Sequence, residues 1–152
     1  MHKSLEPDLV QLIAYCGHLG RQSTDQMLRR AGYDVTPVQT QAFMYLSCRR
    51  GDRETSQRDL ERALHLKAST VNGIVGRLEE KGYISRRASP YDGRIRLVNL
   101  TETGRSKVGD FRAALEETER RFTAGLTDQE LKQLQTLLER IAANLENEVS
   151  NP

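Results

Sequence analysis

Between Ala68 and Gly104 the chain changes its hydrophobic period from helical to alternating, and few folds accommodate that change in so short a span. From Ala68 to Lys81, Val71, Ile74, Val75 and Leu78 recur at i, i+3, i+4 and i+7, the stripe of an amphipathic helix facing a core. Gly82 closes this helix. Two strand-like runs follow, Tyr83 to Arg87 and Ile95 to Leu100, joined by the tight basic turn Ser89-Pro-Tyr-Asp-Gly-Arg94.

The face opposite the stripe carries Ser69, Thr70, Asn72, Gly73 and Arg77. An ordinary solvent face would mix Glu with Lys. Small residues let a helix approach a groove, and hydroxyl, amide and guanidinium groups suit base edges and phosphates. A helix sized for the major groove, followed by a hairpin with an arginine at its tip, is how a winged helix meets duplex DNA. Lys67 falls at the helix N-cap, where Ser, Thr or Asp is usual. A cation there opposes the helix dipole and makes sense against a phosphate; a solvated turn lysine is the plainer reading.

The rest of the chain is helical. A first helix is expected from about Leu5 to Arg30, with Leu5, Leu9, Leu12, Ile13, Cys16 and Leu19 at helical spacing, Pro7 in its first turn and Gly32 as its stop. Thr36-Pro37 opens a second helix that buries Val38, Ala42, Tyr45 and Leu46 and ends near Gly51. Ser56 to Asp59 has the form of a capping box for a short helix through Leu60 and Ala63, and His65-Leu66-Lys67 turns into the helix described above. Thr101 caps a long helix with Val108, Phe111, Leu115 and Phe122 on one face, stopped by Gly125. Thr127 to Glu130 is a second capping box, for a final helix with Leu131, Leu134, Leu137, Leu138, Ile141, Leu145 and Val149.

The expected fold is mainly α with a small β-hairpin wing. One domain spans residues 1–152: a winged helix-turn-helix lobe at about 34–100, and dimerisation helices at about 4–31 and 101–149. The apolar content of the terminal helices exceeds what so small a lobe needs to cover itself, which implies a partner surface. The simplest partner is a second copy.

The net charge of +2 conceals an asymmetry. Residues 49–96 hold twelve basic and seven acidic side chains, whereas residues 97–152 hold seven basic and ten acidic. The excess of +5 coincides with the helix and wing, where a polyanion would dock. No apolar run approaches the ~20 residues of a membrane helix. The start, Met1 to Asp8, lacks the organisation of a secretion signal, so a cytoplasmic protein is expected. Cys16 and Cys48 are too far apart for a CxxC pair and fall on apolar helix faces, which suggests buried thiols. His2, His18 and His65 share no metal-ligand spacing, and no P-loop, GxGxxG or catalytic triad is evident. Neither an enzyme, a metal site nor a cofactor is expected.

Leu78-Glu-Glu-Lys-Gly-Tyr-Ile-Ser-Arg-Arg87, then Pro90-Tyr-Asp-Gly-Arg94, then Leu97-Val-Asn-Leu-Thr-Glu-Thr-Gly104 resemble the MarR family of bacterial transcriptional regulators. The Asp-x-Arg of the wing and the Leu-Thr-x-x-Gly after it carry the likeness, which extends over nearly the whole chain. The resemblance implies a homodimeric winged-helix repressor on a roughly palindromic operator, with repression relieved by a small ligand or an oxidant. It implies that Arg94 enters the minor groove, that Asp92 holds its guanidinium, and that Ser69, Thr70, Asn72, Gly73 and Arg77 line the major groove. Thr36, Gln57, Arg86, Arg87 and Arg96 become phosphate contacts, although Arg86 and Arg87 equally suit solvated strand positions.

Oxidant-sensing members of the family carry their cysteine earlier in the first helix, where this chain has Ile13, and zinc-sensing members use a histidine pair after the wing, where this chain has none. What remains is an aromatic or lipophilic effector, with His18, Arg21 and Tyr45 as candidates to line its cleft. The alternative reading, from a different class, is a winged-helix module whose basic face binds an acidic protein partner.

Overall fold

The computed structural model describes residues 8–48 and 54–149. These form α1 (Leu9–Arg30), α2 (Pro37–Cys48), β1 (Thr55–Ser56), α3 (Gln57–Leu64), α4 (Ala68–Glu80), β2 (Ile84–Ala88), β3 (Arg96–Leu100), α5 (Glu102–Phe122) and α6 (Asp128–Val149). The chain divides into two compact units, the first ending at Thr118 and the second beginning at Glu119.

Local chemistry sets most boundaries. The Asp8 carboxylate accepts the Gln11 N–H at 2.8 Å and starts α1. Leu5, Pro7 and Gly51, which the sequence reading placed in or beside helices, lie outside the described residues. Gly32 ends the first turn-out with φ +90°, a left-handed conformation in which a side chain would be strained. Thr36 and Gln39 cap α2 reciprocally: each side chain accepts the other's backbone N–H at 3.3 Å. Ser56 and Asp59 do the same for α3.

The core of the first unit gathers Leu28, Val35, Phe43, Leu60, Val71, Val75, Leu78, Ile84, Val98 and Phe111. Its centre is aromatic. Phe43 and Phe111 lie 4.4 Å apart, with Tyr33 edge-on to Phe111 at 5.1 Å and Tyr83 edge-on to Phe43 at 6.0 Å. The Tyr33 hydroxyl donates to the Asp110 carboxylate of α5. That hydrogen bond, with burial and the neighbouring charge, pushes the Tyr33 phenol up to about 12, so it stays protonated at neutral pH.

The helical period in α2 points to Val38, Ala42, Tyr45 and Leu46 as the buried set, and the structure corrects two of the four. Val38 and Tyr45 are half-buried, while Thr40 and Phe43 are buried, Phe43 completely. The sheet also differs from the expected hairpin. It has three antiparallel strands in the order β1-β3-β2, because Thr55 pairs with Val98 and Ser56 with Leu97. A two-residue strand has no period to detect.

The base of the hairpin is fastened to α5 at one close contact. The Tyr83 carbonyl accepts the Thr101 N–H at 3.0 Å, and the Thr101 hydroxyl donates to the Gly82 carbonyl at 2.5 Å while accepting the Gly104 N–H at 3.0 Å. A Cβ on Gly104 would stand 2.0 Å from the Tyr83 oxygen. The glycine of the Leu-Thr-x-x-Gly motif is thus required by backbone approach.

In the second unit, Gly125 stops α5 with φ +85°. The Glu130 carboxylate accepts the Thr127 N–H at 2.8 Å and the Thr127 hydroxyl at 2.9 Å, bonds that hold its carboxyl below the usual range. On α6, Leu131 and Ile141 are half-buried and Leu134, Leu137, Leu138 and Leu145 are exposed, Leu145 by 58%. The helix keeps its apolar face without covering it.

Candidate nucleic-acid interface

His65 makes the turn between α3 and α4 in a left-handed conformation, φ 52°. Lys67 is then extended at the N-cap of α4 and supplies no side-chain capping bond. The first amides of α4 therefore keep their capacity to donate to an anion, beside a lysine of matching charge. Along α4, Val71, Ile74, Val75 and Leu78 are buried, while Ser69, Thr70, Asn72, Gly73 and Arg77 are exposed, as the period predicts. A Cβ on Gly73 would meet nothing within 4 Å, so no packing inside the chain explains a glycine there. Arg77 extends to solvent and pairs with Glu80 at 3.2 Å.

The wing turn is built from short polar contacts. Ser89 N–H donates to the Ile95 carbonyl at 2.8 Å, and Tyr91 N–H to the Ser89 hydroxyl at 3.2 Å. The Asp92 carboxylate accepts the Arg94 backbone N–H at 2.9 Å. This corrects the expected pairing of Asp92 with the Arg94 guanidinium: two residues on, the amide is the donor an Asp reaches in a turn. Asp92 thereby sets the backbone from which an exposed Arg94 side chain projects. Tyr91, beside it, is 98% exposed.

Arg94 and Arg96 border a notch of about 130 Å³ against the start of α3, lined also by Ser56, Gln57, Arg58, Ile95 and the acidic Glu61. The notch gathers three of the exposed cations and Gln57 in one place. Sequence reasoning missed Arg58, whose only signal is a basic residue in the first turn of a capped helix.

Arg86 and Arg87 are not free strand cations. Arg87 pairs with Glu54. Arg86 donates through Nε to Glu79 at 2.9 Å, through Nη2 to Glu79 at 2.7 Å and through Nη1 to the Asn72 side-chain oxygen at 2.9 Å. Its backbone N–H also reaches Glu79, at 3.2 Å. The Arg86 side chain holds the Glu79 carboxyl below the usual range against the opposing effect of desolvation. Thr36 is spent on capping α2, although its side chain is exposed.

A second concavity, of about 670 Å³, opens in the first unit between α1, α2, α3 and α5. Arg21 and Tyr45 line it, as the sequence reading expects, with Thr24, Met44, Cys48 and His65. His18 is not among its lining residues; it lies exposed on α1, and the left-handed turn brings in His65 instead. Cys48, in the last turn of α2, is exposed, which corrects the expectation of a buried thiol; Cys16 is half-buried. Among the described residues no group of three or more His, Cys, Asp or Glu side chains could hold a metal ion, and no helix is long and apolar enough to cross a membrane.

A family model described as MarR matches residues 33–95, the stretch that holds α2, the reader helix and most of the wing. The chain is 33% identical over 94 residues to the HTH-type transcriptional regulator YdgJ of Bacillus subtilis, a match that covers 62% of this chain and 57% of that protein. Among solved structures it resembles a probable transcriptional regulator from Pseudomonas aeruginosa, at 30% identity and a TM-score of 0.78, over 90% of this chain and 98% of that one. It also resembles the MepR–DNA complex of S. aureus, at 27% identity and a TM-score of 0.83, over 91% and 99% of the two chains.

Proposed function

The chain belongs to the MarR family, and from that premise we propose that it is a sequence-specific double-stranded-DNA-binding transcriptional regulator, acting as a homodimeric repressor. One observation carries the reading. The contact between Arg86 and Asn72 joins β2 to the polar face of α4, so the reader helix and the wing form one continuous surface. That surface presents exposed hydroxyl, amide and guanidinium groups and an unexplained glycine on α4, next to an arginine-tipped turn. Such donors meet phosphates and base edges, and a solvent face would have no use for Gly73. The DNA-bound relative, MepR, supports the same reading.

Exposed apolar side chains on α1 (Leu9, Leu12, Ile13) and on α6 (Leu134, Leu137, Leu138) support a second copy as partner. Two-fold symmetry then places one reader helix on each of two inverted half-sites. The cavity beside Arg21 and Tyr45, mostly apolar with few polar groups, supports a small aromatic or lipophilic effector. The protein works in the cytoplasm as a regulator, without catalysis.

Selection of the full-length protein against a randomised duplex library tests this reading. The expected product is a pair of inverted half-sites about 10 base pairs apart, centre to centre. Enrichment of a lone half-site, or retention on duplex with no sequence preference, contradicts it, and the latter outcome favours an acidic protein as the natural partner.

A further inference from the structure

Resting on the DNA-binding reading above, we infer that Arg86 is a positioning residue: it orients the Asn72 amide so that α4 presents a hydrogen-bond donor, and so rejects cytosine, at the base Asn72 faces. The argument begins with what Arg86 can still do. Three of its polar contacts go to Glu79 and one to Asn72, at 2.7–3.2 Å. Its side chain is only 29% exposed and paired with Glu79, a poor arrangement for a phosphate clamp.

The contact to Asn72 has a direction. Arg86 has no acceptor to offer, so it must meet the amide oxygen. With Oδ1 turned toward the wing strand, the NH2 group of this exposed residue is the end left to present, and it has no partner among the described residues. A freely rotating asparagine reads adenine by using both ends at once, accepting from N6 and donating to N7. Here Arg86 takes one of the oxygen's two lone pairs and fixes the rotation of the amide, with its accepting end turned toward the wing strand. A donor alone is satisfied by N7 or O6 of guanine, N7 of adenine or O4 of thymine, while cytosine offers only its own N4 donor. Asn72 should therefore exclude cytosine without singling out adenine. Glu79 keeps Arg86 in place from the far side, so specificity at a base is set by two residues that never touch DNA.

The test profiles base preference at every operator position for the wild-type protein, Asn72→Ala, Arg86→Gln and Glu79→Gln, with the salt dependence of binding measured alongside. Wild type should disfavour cytosine at one position of each half-site by roughly three- to tenfold, the range of one hydrogen bond gained or lost. Asn72→Ala should erase that exclusion, and Arg86→Gln should erase it at the same position without lowering the salt slope. Glu79→Gln, which keeps the cation and perturbs the fold least, should relax the same position. The inference fails if wild type singles out adenine there, if Asn72→Ala changes no preference, or if Arg86→Gln lowers the salt slope by about one unit with every preference intact, the behaviour of a phosphate contact. A wild-type protein that enriches no sequence would instead overturn the DNA-binding reading, and this inference with it.

Discussion

Gly104→Ala is expected to destabilise the protein by about 3 kcal/mol, the upper end of the usual cost of forcing a methyl group into a packed site. The added Cβ would lie 2.0 Å from the Tyr83 carbonyl oxygen and 2.9 Å from its carbon. Both are backbone atoms, and the same carbonyl accepts the Thr101 N–H. Relief therefore requires α5 to move off the hairpin base, which also strains the Thr101 contacts to Gly82 and Gly104. Gly109→Ala is the matched control on the same helix. Its Cβ would meet nothing within 4 Å, and replacing a helical glycine should stabilise by about 0.5–1 kcal/mol. Urea unfolding followed by circular dichroism, at one fixed protein concentration, reads both. A Gly104→Ala variant within about 0.5 kcal/mol of wild type, the range of an innocuous surface change, would show that the contact is not a constraint.

Leu138→Asp should weaken self-association roughly a thousandfold. Leu138 is 40% exposed on a face shared with Leu134, Leu137 and Leu145. If two copies cover that face, each loses a leucine burial worth roughly 1.5–3 kcal/mol, and symmetry doubles the effect. The total, about 4 kcal/mol, corresponds to that change in dissociation constant. Sedimentation equilibrium should find wild type dimeric at micromolar concentration and the variant largely monomeric. A variant that stays dimeric would place the interface elsewhere. A wild-type monomer would remove the homodimer altogether.

What could be read without the structure was what local physics sets. The stripe of α4, the reciprocal caps at Ser56 and Thr127, and the glycine stops at residues 32, 82 and 125 depend on neighbours within a turn or two. What escaped depends on distant partners. Phe43 is buried because α2 is surrounded on more than one side, which a single-face period does not express. β1 exists only by pairing with β3, some forty residues later in the chain. Arg86 looked like any exposed strand arginine until Asn72 and Glu79, fourteen and seven residues before it, were found on the same guanidinium. Asp92 was assigned to the correct neighbour and the wrong atom, since a turn offers the Arg94 amide more readily than its side chain.

The central claim, that α4 and the wing together bind duplex DNA, is tested most directly by titrating wild type and Arg94→Ala against the selected operator at several salt concentrations. Arg94 projects from a turn that Asp92 fixes and makes no ion pair among the described residues, so its loss should leave the fold intact. The expected loss is about 1–3 kcal/mol of binding, with the salt slope smaller by about one unit and the preferred half-site core unchanged, as befits an arginine sensing the minor groove. Unchanged affinity and slope in a folded Arg94→Ala protein would contradict the claim.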